Sequence, residues 1–324
     1  MKTFVVGLIM FCLVFVSSLG YPIETMQNLH SATMQIEYGE SGPYTMVEES
    51  FRNSMWLKGE PVTVLFPAEI SEAVPVLFFL HGFGATKWIF YKSLLTHLVS
   101  RGFAVVYSPY PTLGINNSIS ERYEIIWNGF LEAADHYEAR FDLQKVGFLG
   151  HSFGAGAVPA IAWKALMEED WGRQGAFLFM MAPWYVHDMT DTKMDDFPED
   201  ANIIVQVYNE DAICDHRMAI DVFENIGTPY SRKAYYNVEK GLFNAEHSVP
   251  SDRRVNELDR LAILTPLDAL IDFTFEIADP NDGYDYSLEG KGVHFQHNVT
   301  KDPEIIAGES KYLWRWSNYS NPRR

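Results

Sequence analysis

The apolar residues of this chain form two alternating patterns, which predict strands and helices in turn. Short continuous apolar runs such as Val74–Leu80 are typical of strands that are buried on both faces of a sheet. Longer segments such as 118–137 place apolar residues at helical spacing, with polar residues between them. The predicted strands are 42–49, 61–67, 74–80, 103–107, 146–149, 176–180, 202–208 and 233–238, and the predicted helices are 89–100, 118–137, 155–167, 215–226 and 255–275.

Strands that alternate with helices predict an α/β fold, with a mostly parallel central sheet flanked by helices on both faces. The first two strands are expected to form an antiparallel pair at one edge of this sheet. We expect one domain over residues 21–275, with its ligand site at the carboxyl ends of the strands. The C-terminal extension, 276–324, is expected to pack on this domain, because its aromatic content is too high for a disordered segment.

The first 20 residues have the organisation of a secretory signal peptide. Lys2 precedes an apolar run over residues 4–16, and small residues follow at 17–20. The run is short for a bilayer span, so we expect cleavage before Tyr21, with an uncleaved signal anchor as the alternative. The sequence therefore predicts a protein that is secreted or held in the lumen of the secretory pathway, without a stable membrane span.

Sequons, charge and cysteines refine this picture. N-glycosylation sequons begin at Asn116, Asn298 and Asn318, which predicts a glycoprotein. The formal net charge of −18 argues against nucleic-acid binding through the phosphates. The cysteines are Cys12, in the predicted signal, and Cys214, so the mature chain would keep one thiol. We expect Cys214 to be a small buried apolar residue, with a reactive thiol as the alternative.

The sequence GHSFG, residues 150–154, lies between a predicted strand and a predicted helix. This context is typical of a nucleophile elbow, in which a serine stands clear of the sheet on a sharp turn. Gly150 and Gly154 leave room for the backbone on either side of Ser152. The helix that starts behind Ser152 directs unpaired N–H groups at any oxyanion formed there. Ser152 is therefore the predicted nucleophile.

A second turn, HGFG over residues 81–84, follows the strand Val74–Leu80. A backbone N–H of this turn, that of Phe83, is expected to converge with the N–H of Phe153 on the developing oxyanion. The alternative is a glycine-rich turn without a role.

The acid and the base of a catalytic triad are predicted from chain order. The run 209–211 directly follows the strand 202–208. Asp211 is the predicted acid, with Glu210 as the alternative. Asp215 is better explained as the N-cap of the next helix. His247 lies after the last predicted strand, and of the ten histidines it alone has the place that the order Ser, Asp, His requires.

No metal site and no cofactor are predicted. The acidic stretch 188–200 is expected to be a solvated loop, with a calcium site as the alternative. The run 279–283 departs from the EF-hand pattern, because Gly283 stands where a third ligand is required.

Together these residues resemble the α/β-hydrolase superfamily, and within it the branch of chlorophyllases, cutinase-like polyester hydrolases and platelet-activating-factor acetylhydrolases. The matching stretches are 42–44, 81–83, 101–106, 150–154, 182–184, 209–211 and 246–248. The resemblance implies that Ser152 is the nucleophile, Asp211 the acid and His247 the base, with Phe83 and Phe153 as oxyanion donors.

The resemblance also bears on the substrate. Trp184 matches a tryptophan that lines the cleft of cutinase-like enzymes, and Trp88 lies near the cleft by motif position, so both are predicted to bind substrate. Chlorophyllases that resemble this chain carry Arg directly after the nucleophile, where this chain has Phe153, which argues against carrying chlorophyll over as the substrate. Cutinase-like enzymes usually end soon after the histidine with a disulfide, whereas this chain continues to Arg324.

The predicted function is a secreted serine esterase that cleaves small-molecule or lipid carboxylic esters through an acyl-enzyme, without a cofactor. One alternative is a catalytically silent hydrolase fold that binds a ligand. Another is a lyase or transferase that uses the same triad. Release of a burst of acid product from an activated ester separates the esterase from the first alternative. Analysis of the products separates the esterase from the second.

Overall fold

The computed structural model describes residues 36–112, 117–251, 254–277, 279–291, 295–297, 311–317, 319 and 321–323, with the backbone alone at 295–297. The chain divides into two units, Met1–Glu37 and Tyr38–Arg324, and every element named below lies in the second. The predicted signal peptide and the sequon residues Asn116, Asn298 and Asn318 lie outside the described residues, so secretion and glycosylation stay predictions. Within the described part of the chain, no helix is long and apolar enough to cross a membrane.

The centre of the second unit is a sheet of nine strands in the order β1-β2-β4-β3-β5-β6-β7-β8-β9. The strands are β1 Met46–Phe51, β2 Val62–Pro67, β3 Val74–Leu80, β4 Ala104–Tyr107, β5 Phe141–His151, β6 Ala176–Met181, β7 Asn202–Tyr208, β8 Lys233–Val238 and β9 Phe295–His297. The pairs β1–β2, β2–β4 and β8–β9 are antiparallel, and the five pairs between them in the sheet are parallel. The mostly parallel sheet with an antiparallel edge is the predicted arrangement.

Helices connect and cover these strands. They are α1 Lys92–Ser100, α2 Ile119–His136, α3 Phe153–Trp163, α4 Asp191–Asp195, α5 His216–Asn225, α6 Glu257–Asp259, α7 Thr265–Phe275 and α8 Pro280–Tyr286. Single 3-10 turns lie at Ser54–Trp56, Trp88–Tyr91, Tyr230–Arg232 and Val249–Ser251, and π-helical turns lie at Lys164–Glu168 and Arg260–Leu264. Helix α2 begins with a capping box, in which the Ser118 side chain accepts from the N–H of Glu121 and the Glu121 side chain accepts in return.

Side chains along strands β2 to β8 alternate between two cores, one on each face of the sheet. On β3, Phe78 belongs to the core that contains Phe130 of α2. The next residue, Phe79, belongs to the core that contains Leu95 of α1 and Leu270 of α7. Because strands buried on both faces need apolar residues at every position, their runs are continuous in the sequence. Together with the strand order, these two layers confirm the predicted α/β-hydrolase fold.

The structure departs from the sequence prediction mainly at short elements. Strand β5 begins at Phe141, five residues earlier than the apolar run, and its polar first half pairs with the start of β3 through a register shift after Pro75. The predicted solvated loop 188–200 contains the short helix α4, which the Thr190 side chain caps. Strand β9 and helix α8 were not predicted, because three and seven residues are too few to establish a period.

Candidate active site

Ser152 lies at the carboxyl end of β5, on the sharp turn into α3. Its backbone angles, φ 56° and ψ −120°, belong to a region that residues with side chains rarely occupy. A Cβ at Gly150 would lie 2.7 Å from the Ala155 nitrogen, and a Cβ at Gly154 would lie 2.0 Å from the Leu80 carbonyl oxygen. Both glycines are therefore required by close backbone approach at this elbow.

Three side chains from different strand ends meet in a hydrogen-bonded chain. His247 Nε2 lies 2.9 Å from Ser152 Oγ, and His247 Nδ1 lies 2.8 Å from Asp211 Oδ2. The other carboxylate oxygen of Asp211, Oδ1, accepts from the N–H of Ile213 at 2.6 Å and from that of Cys214 at 3.2 Å. Asp211 is thus held by its own loop on one side and by the imidazole on the other.

The surroundings of Asp211 favour its ionised form. Only 1 % of its side-chain surface is exposed, and this burial by itself raises the pKa. The hydrogen bond and charge of His247, with the N–H groups of Ile213 and Cys214, outweigh burial and hold the pKa of Asp211 below its ordinary value. An ionised Asp211 holds the Nδ1–H tautomer of His247, which leaves Nε2 free to accept the Ser152 proton.

The two other acidic candidates make different contacts. Glu210 accepts from Lys240 Nζ at 2.9 Å and from the N–H of Ala245 at 3.1 Å. Asp215 caps α5, as predicted, and forms a buried ion pair with Arg217. Of the three acids, Asp211 is the one that lies within hydrogen-bonding distance of the His247 ring.

The two predicted oxyanion donors lie on elements that border Ser152. Gly82 and Ala85 close a β-turn through a 3.1 Å backbone hydrogen bond, and Gly84 adopts the left-handed φ of +90° that the turn requires. A Cβ added to Gly82 would lie 3.4 Å from Ser152 Cβ, so this turn contacts the nucleophile. Phe153 is the first residue of α3, where N–H groups have no intrahelical partner. The role of the Phe83 and Phe153 N–H groups as oxyanion donors stays a prediction.

A buried network that the sequence did not predict joins the turn after β3 to the loop of the base. The N–H of Gly82 donates to the Tyr91 hydroxyl at 2.9 Å, and that hydroxyl lies 2.9 Å from His151 Nδ1. His151 Nε2 lies 2.8 Å from the His247 carbonyl oxygen. Burial, followed by the neighbouring His247 charge, lowers the pKa of His151 to about 3, so His151 is neutral and donates from Nε2. His151 therefore binds the Tyr91 hydroxyl and the His247 carbonyl, and it steadies the loop of the base.

Aromatic side chains border the nucleophile on the β6 side. The backbone N–H of Trp184 donates to the Ser152 carbonyl oxygen at 3.0 Å, and the Trp184 ring stacks on Phe153 at a centroid distance of 5.7 Å. Trp314, from the C-terminal extension, meets the Trp184 ring edge-on at 5.8 Å and is 48 % exposed. Trp88 is half-buried against the core on the α1 face. Substrate binding by Trp184 and Trp88 stays a prediction, and Trp314 joins them as an unpredicted neighbour.

Cys214 lies beside the nucleophile, which its position in the sequence did not indicate. The thiol is buried, and the Ser152 side chain is close enough to lower the pKa of the thiol in part. Burial, followed by the charge of Asp211, raises the pKa of the Cys214 thiol well above its usual value. The group is therefore a neutral thiol packed against the triad.

Within the described residues, no group of three or more His, Cys, Asp or Glu side chains is placed to hold a metal ion.

The family model described as Chlorophyllase matches residues 32–170 of the chain. This segment includes Ser152 and both predicted oxyanion donors, whereas Asp211 and His247 lie beyond it. No curated protein matches the chain. The match confirms the resemblance to the chlorophyllase branch, and together with the sheet it indicates a serine hydrolase of the α/β-hydrolase fold.

Proposed function

We propose that this α/β-hydrolase-fold chain, whose residues 32–170 match the chlorophyllase family, is an esterase that cleaves carboxylic esters. Ser152 is the nucleophile, His247 the general base and acid, and Asp211 the orienting carboxylate. The observation that carries the proposal is the continuous chain of contacts at 2.9 Å and 2.8 Å from Ser152 Oγ through His247 to Asp211.

In the first half of the reaction, Ser152 Oγ attacks the ester carbonyl carbon while His247 Nε2 takes the hydroxyl proton. The carbonyl oxygen becomes an oxyanion, which accepts hydrogen bonds from the N–H groups of Phe83 and Phe153. The tetrahedral species collapses when His247 donates its proton to the leaving alkoxide. The products of this half are a free alcohol and an acyl group esterified to Ser152.

In the second half, water takes the place of the alcohol. His247 Nε2 removes one proton from this water, and the resulting hydroxide adds to the acyl carbon. Return of the proton to Ser152 Oγ then releases the carboxylic acid and restores the free enzyme. One water is consumed for each ester, and no cofactor takes part.

The residues around Ser152 favour a substrate with an apolar or aromatic group. Phe153 stands where the chlorophyllases that resemble this chain carry Arg, and its ring is buried between Tyr110 at 4.8 Å and Trp184 at 5.7 Å. This position therefore holds a buried aromatic ring in place of a cation. Trp184 is half-buried and Trp314 is 48 % exposed, so these two rings supply the aromatic surface near the nucleophile. We therefore propose neutral esters, lipid or aromatic, as the substrate class.

We also propose that the protein enters the secretory pathway and is glycosylated. The motif of residues 1–20 and the sequons at Asn116, Asn298 and Asn318 support this. Expression in a eukaryotic secretory host should yield a protein that begins at Tyr21 and loses mass on treatment with an N-glycosidase. An intracellular product that retains Met1 would contradict the proposal.

The direct test of the nucleophile is covalent labelling. A fluorophosphonate should modify the wild-type protein at Ser152, as mapped by mass spectrometry, and Ser152→Ala should remain unlabelled. The same substitution should lower ester turnover by several orders of magnitude, because no acyl-enzyme can form. Ser120→Ala, which removes an exposed hydroxyl on α2, is the matched control and should retain both labelling and turnover.

Two further measurements separate the esterase from the alternatives. A panel of lipid, short-chain and aromatic esters should include substrates that release acid and alcohol in equal amounts, and in ¹⁸O-labelled water the acid should gain one ¹⁸O. A silent binding protein would release neither product. A transferase would place the acyl group on another acceptor and release no free acid.

A further inference from the structure

The C-terminal extension returns to the loop that carries the predicted acid. We call residues 311–317 the strap and residues 211–215 the acid loop. The N–H of Leu313 donates to the Ala212 carbonyl at 2.8 Å, and the N–H of Trp314 donates to the Ile213 carbonyl at 2.9 Å. The N–H of Asp215 donates in turn to the Trp314 carbonyl at 3.1 Å. The two segments therefore pair as a short parallel bridge, at Cys214 and Trp314.

Side chains hold the strap at both of its ends. Lys311 Nζ donates to the Asn209 carbonyl at 2.8 Å, directly before the acid loop. The N–H of Trp316 donates to Asp215 Oδ2 at 3.0 Å, directly after the bridge. The Tyr185 hydroxyl donates to the carbonyl of Arg315, and the Tyr185 ring stacks on that of Trp316. These contacts make the strap a fixed part of the site and not a loose end.

The acid loop in turn fixes the orientation of the Asp211 carboxylate in the triad. Asp211 Oδ1 accepts from the N–H groups of Ile213 and Cys214, while Oδ2 faces His247 Nδ1. The orientation of the carboxylate therefore depends on where those two peptide groups lie. The strap binds the carbonyl of Ile213, which belongs to the same peptide group as the Cys214 N–H. A shift of this segment would turn the carboxylate relative to the imidazole.

We propose that the strap is a positioning element for the acid: it fixes the acid loop so that Asp211 is aligned on His247 Nδ1. The inference rests on the proposed function, because it assigns a role within the same triad. It also goes beyond that proposal, since the strap lies outside the matched segment 32–170. The chain needs its C-terminal residues for turnover as well as for stability.

Leu313 allows a test with a closely matched control. Its side chain is 68 % exposed, so replacement of the side chain alone removes little packing. Leu313→Pro deletes the N–H that binds Ala212, whereas Leu313→Ala keeps it. We expect Leu313→Pro to lower kcat about 10- to 100-fold with KM changed less than threefold, because a small misplacement of catalytic groups has effects of this size. Leu313→Ala is expected to stay near wild type.

The count of active sites separates positioning from simple loss of folded protein. Titration with a fluorophosphonate gives the active fraction of each variant, so that kcat is expressed per labelled site. We expect this value to fall in Leu313→Pro and to stay near wild type in Leu313→Ala, with KM changed less than threefold in both. A Leu313→Pro protein that loses active fraction, with unchanged kcat per labelled site, overturns the proposal.

A second variant serves if Leu313→Pro does not fold. Tyr185→Phe removes the hydroxyl that binds the Arg315 carbonyl and keeps the ring. We expect a smaller fall of kcat per labelled site with KM nearly unchanged, and an unchanged kcat per labelled site overturns the proposal. Failure of the esterase proposal would look different, because the wild-type protein itself would then neither be labelled at Ser152 nor hydrolyse esters.

Discussion

Asp211 uses both of its carboxylate oxygens, one for His247 and one for two backbone N–H groups. The neighbouring acids bind other groups. Glu210 forms an ion pair with Lys240, and Asp215 caps α5 and forms an ion pair with Arg217. These three acids, which lie within six residues, therefore differ in role because they bind different partners. A carboxamide substitution at each position tests that separation with little change in shape.

Asp211→Asn should lower kcat about 10³- to 10⁴-fold, since the amide no longer holds the tautomer that accepts the serine proton. Glu210→Gln should stay within about threefold of wild type, because its pair with Lys240 is exposed and contributes little. Asp215→Asn should lower the melting temperature, because it weakens a buried ion pair, and should lower kcat far less than Asp211→Asn does. Steady-state kinetics on one activated ester and thermal melts measure all three. A Glu210→Gln variant as inactive as Asp211→Asn would contradict the assignment.

At this scale the sequence predicted the groups that have fixed motifs or a fixed chain order. Ser152 follows from its elbow, and Asp211 and His247 from their places after successive strands. Tyr91 and His151 meet although 60 residues separate them, and Cys214 meets Ser152 with no motif to indicate it. Such contacts depend on how loops fold over the sheet, and no periodicity in the chain encodes them.

At the scale of elements, α7 buries several charges against α1. Asp268 Oδ1 lies 2.9 Å from His97 Nε2 and 3.3 Å from Arg101 Nε, and Asp268 Oδ2 accepts from the N–H of Gly39 at 2.8 Å. Asp272 lies one turn further along α7, near the same cluster. Burial raises the pKa of Asp272 to about 6. The positive charge of Arg101 opposes this shift in part, and the negative charge of Asp268 adds to it.

This raised pKa predicts a stability that falls as pH rises. The folded chain binds a proton at Asp272 more tightly than the unfolded chain, whose carboxyl titrates at its ordinary value near 3.8. The folded state therefore loses stability between about pH 4 and pH 6, where the unfolded carboxyl is ionised first. Asp272→Asn removes the charge and should raise the free energy of unfolding by about 1–2 kcal/mol at pH 7.5, with the gain vanishing near pH 4.

Thermal melts at four pH values between 4 and 7.5 measure this effect. Asp282→Asn is the control, since Asp282 is exposed on the neighbouring helix α8 and its substitution should leave the pH dependence unchanged. An Asp272→Asn variant that is no more stable than wild type at pH 7.5 would contradict the argument.

The elements that the sequence predicted well are those with a strong burial signal. Strands β3, β7 and β8 have the predicted bounds, because every position in them is apolar or packed. The π-helical turn Arg260–Leu264 interrupts the predicted helix 255–275, and the sequence pattern did not predict it.

At the scale of the whole molecule, the chain after His247 returns to the sheet three times. Helix α7 covers one face, β9 adds an edge strand beside β8, and the strap reaches the acid loop. The aromatic content of 276–324 predicted packing but not its place, because the contacting surfaces lie about a hundred residues apart in the chain. Residues 38–275 and the extension 276–324 both fall in the unit Tyr38–Arg324, whereas residues 21–37 of the predicted domain fall in the unit Met1–Glu37.

The last turn of the chain is fixed by a buried arginine, which gives a test of this closure. Arg323 Nε and Nη2 bind the two oxygens of Asp221 on α5 at 2.9 Å and 3.0 Å, and Nη1 binds Asp191 Oδ1 of α4 at 2.8 Å. The arginine side chain is fully buried, Asp221 is 9 % exposed and Asp191 is 67 % exposed. Removal of the arginine therefore leaves one nearly buried carboxylate without its partner.

Arg323→Ala should lower the free energy of unfolding by about 3 kcal/mol, because breaking a buried ion pair strands the remaining charge. Arg323→Lys should recover only part of this, since an ammonium cannot bind both oxygens of Asp221 in the same fork. Asp191→Asn is the matched control on the exposed side of the same arginine and should change the free energy of unfolding by less than about 1 kcal/mol. Denaturant unfolding followed by intrinsic tryptophan fluorescence measures each value. If Arg323→Ala and Asp191→Asn are equally stable, the end of the chain contributes nothing through this ion pair, and its anchoring must be assigned to the strap alone.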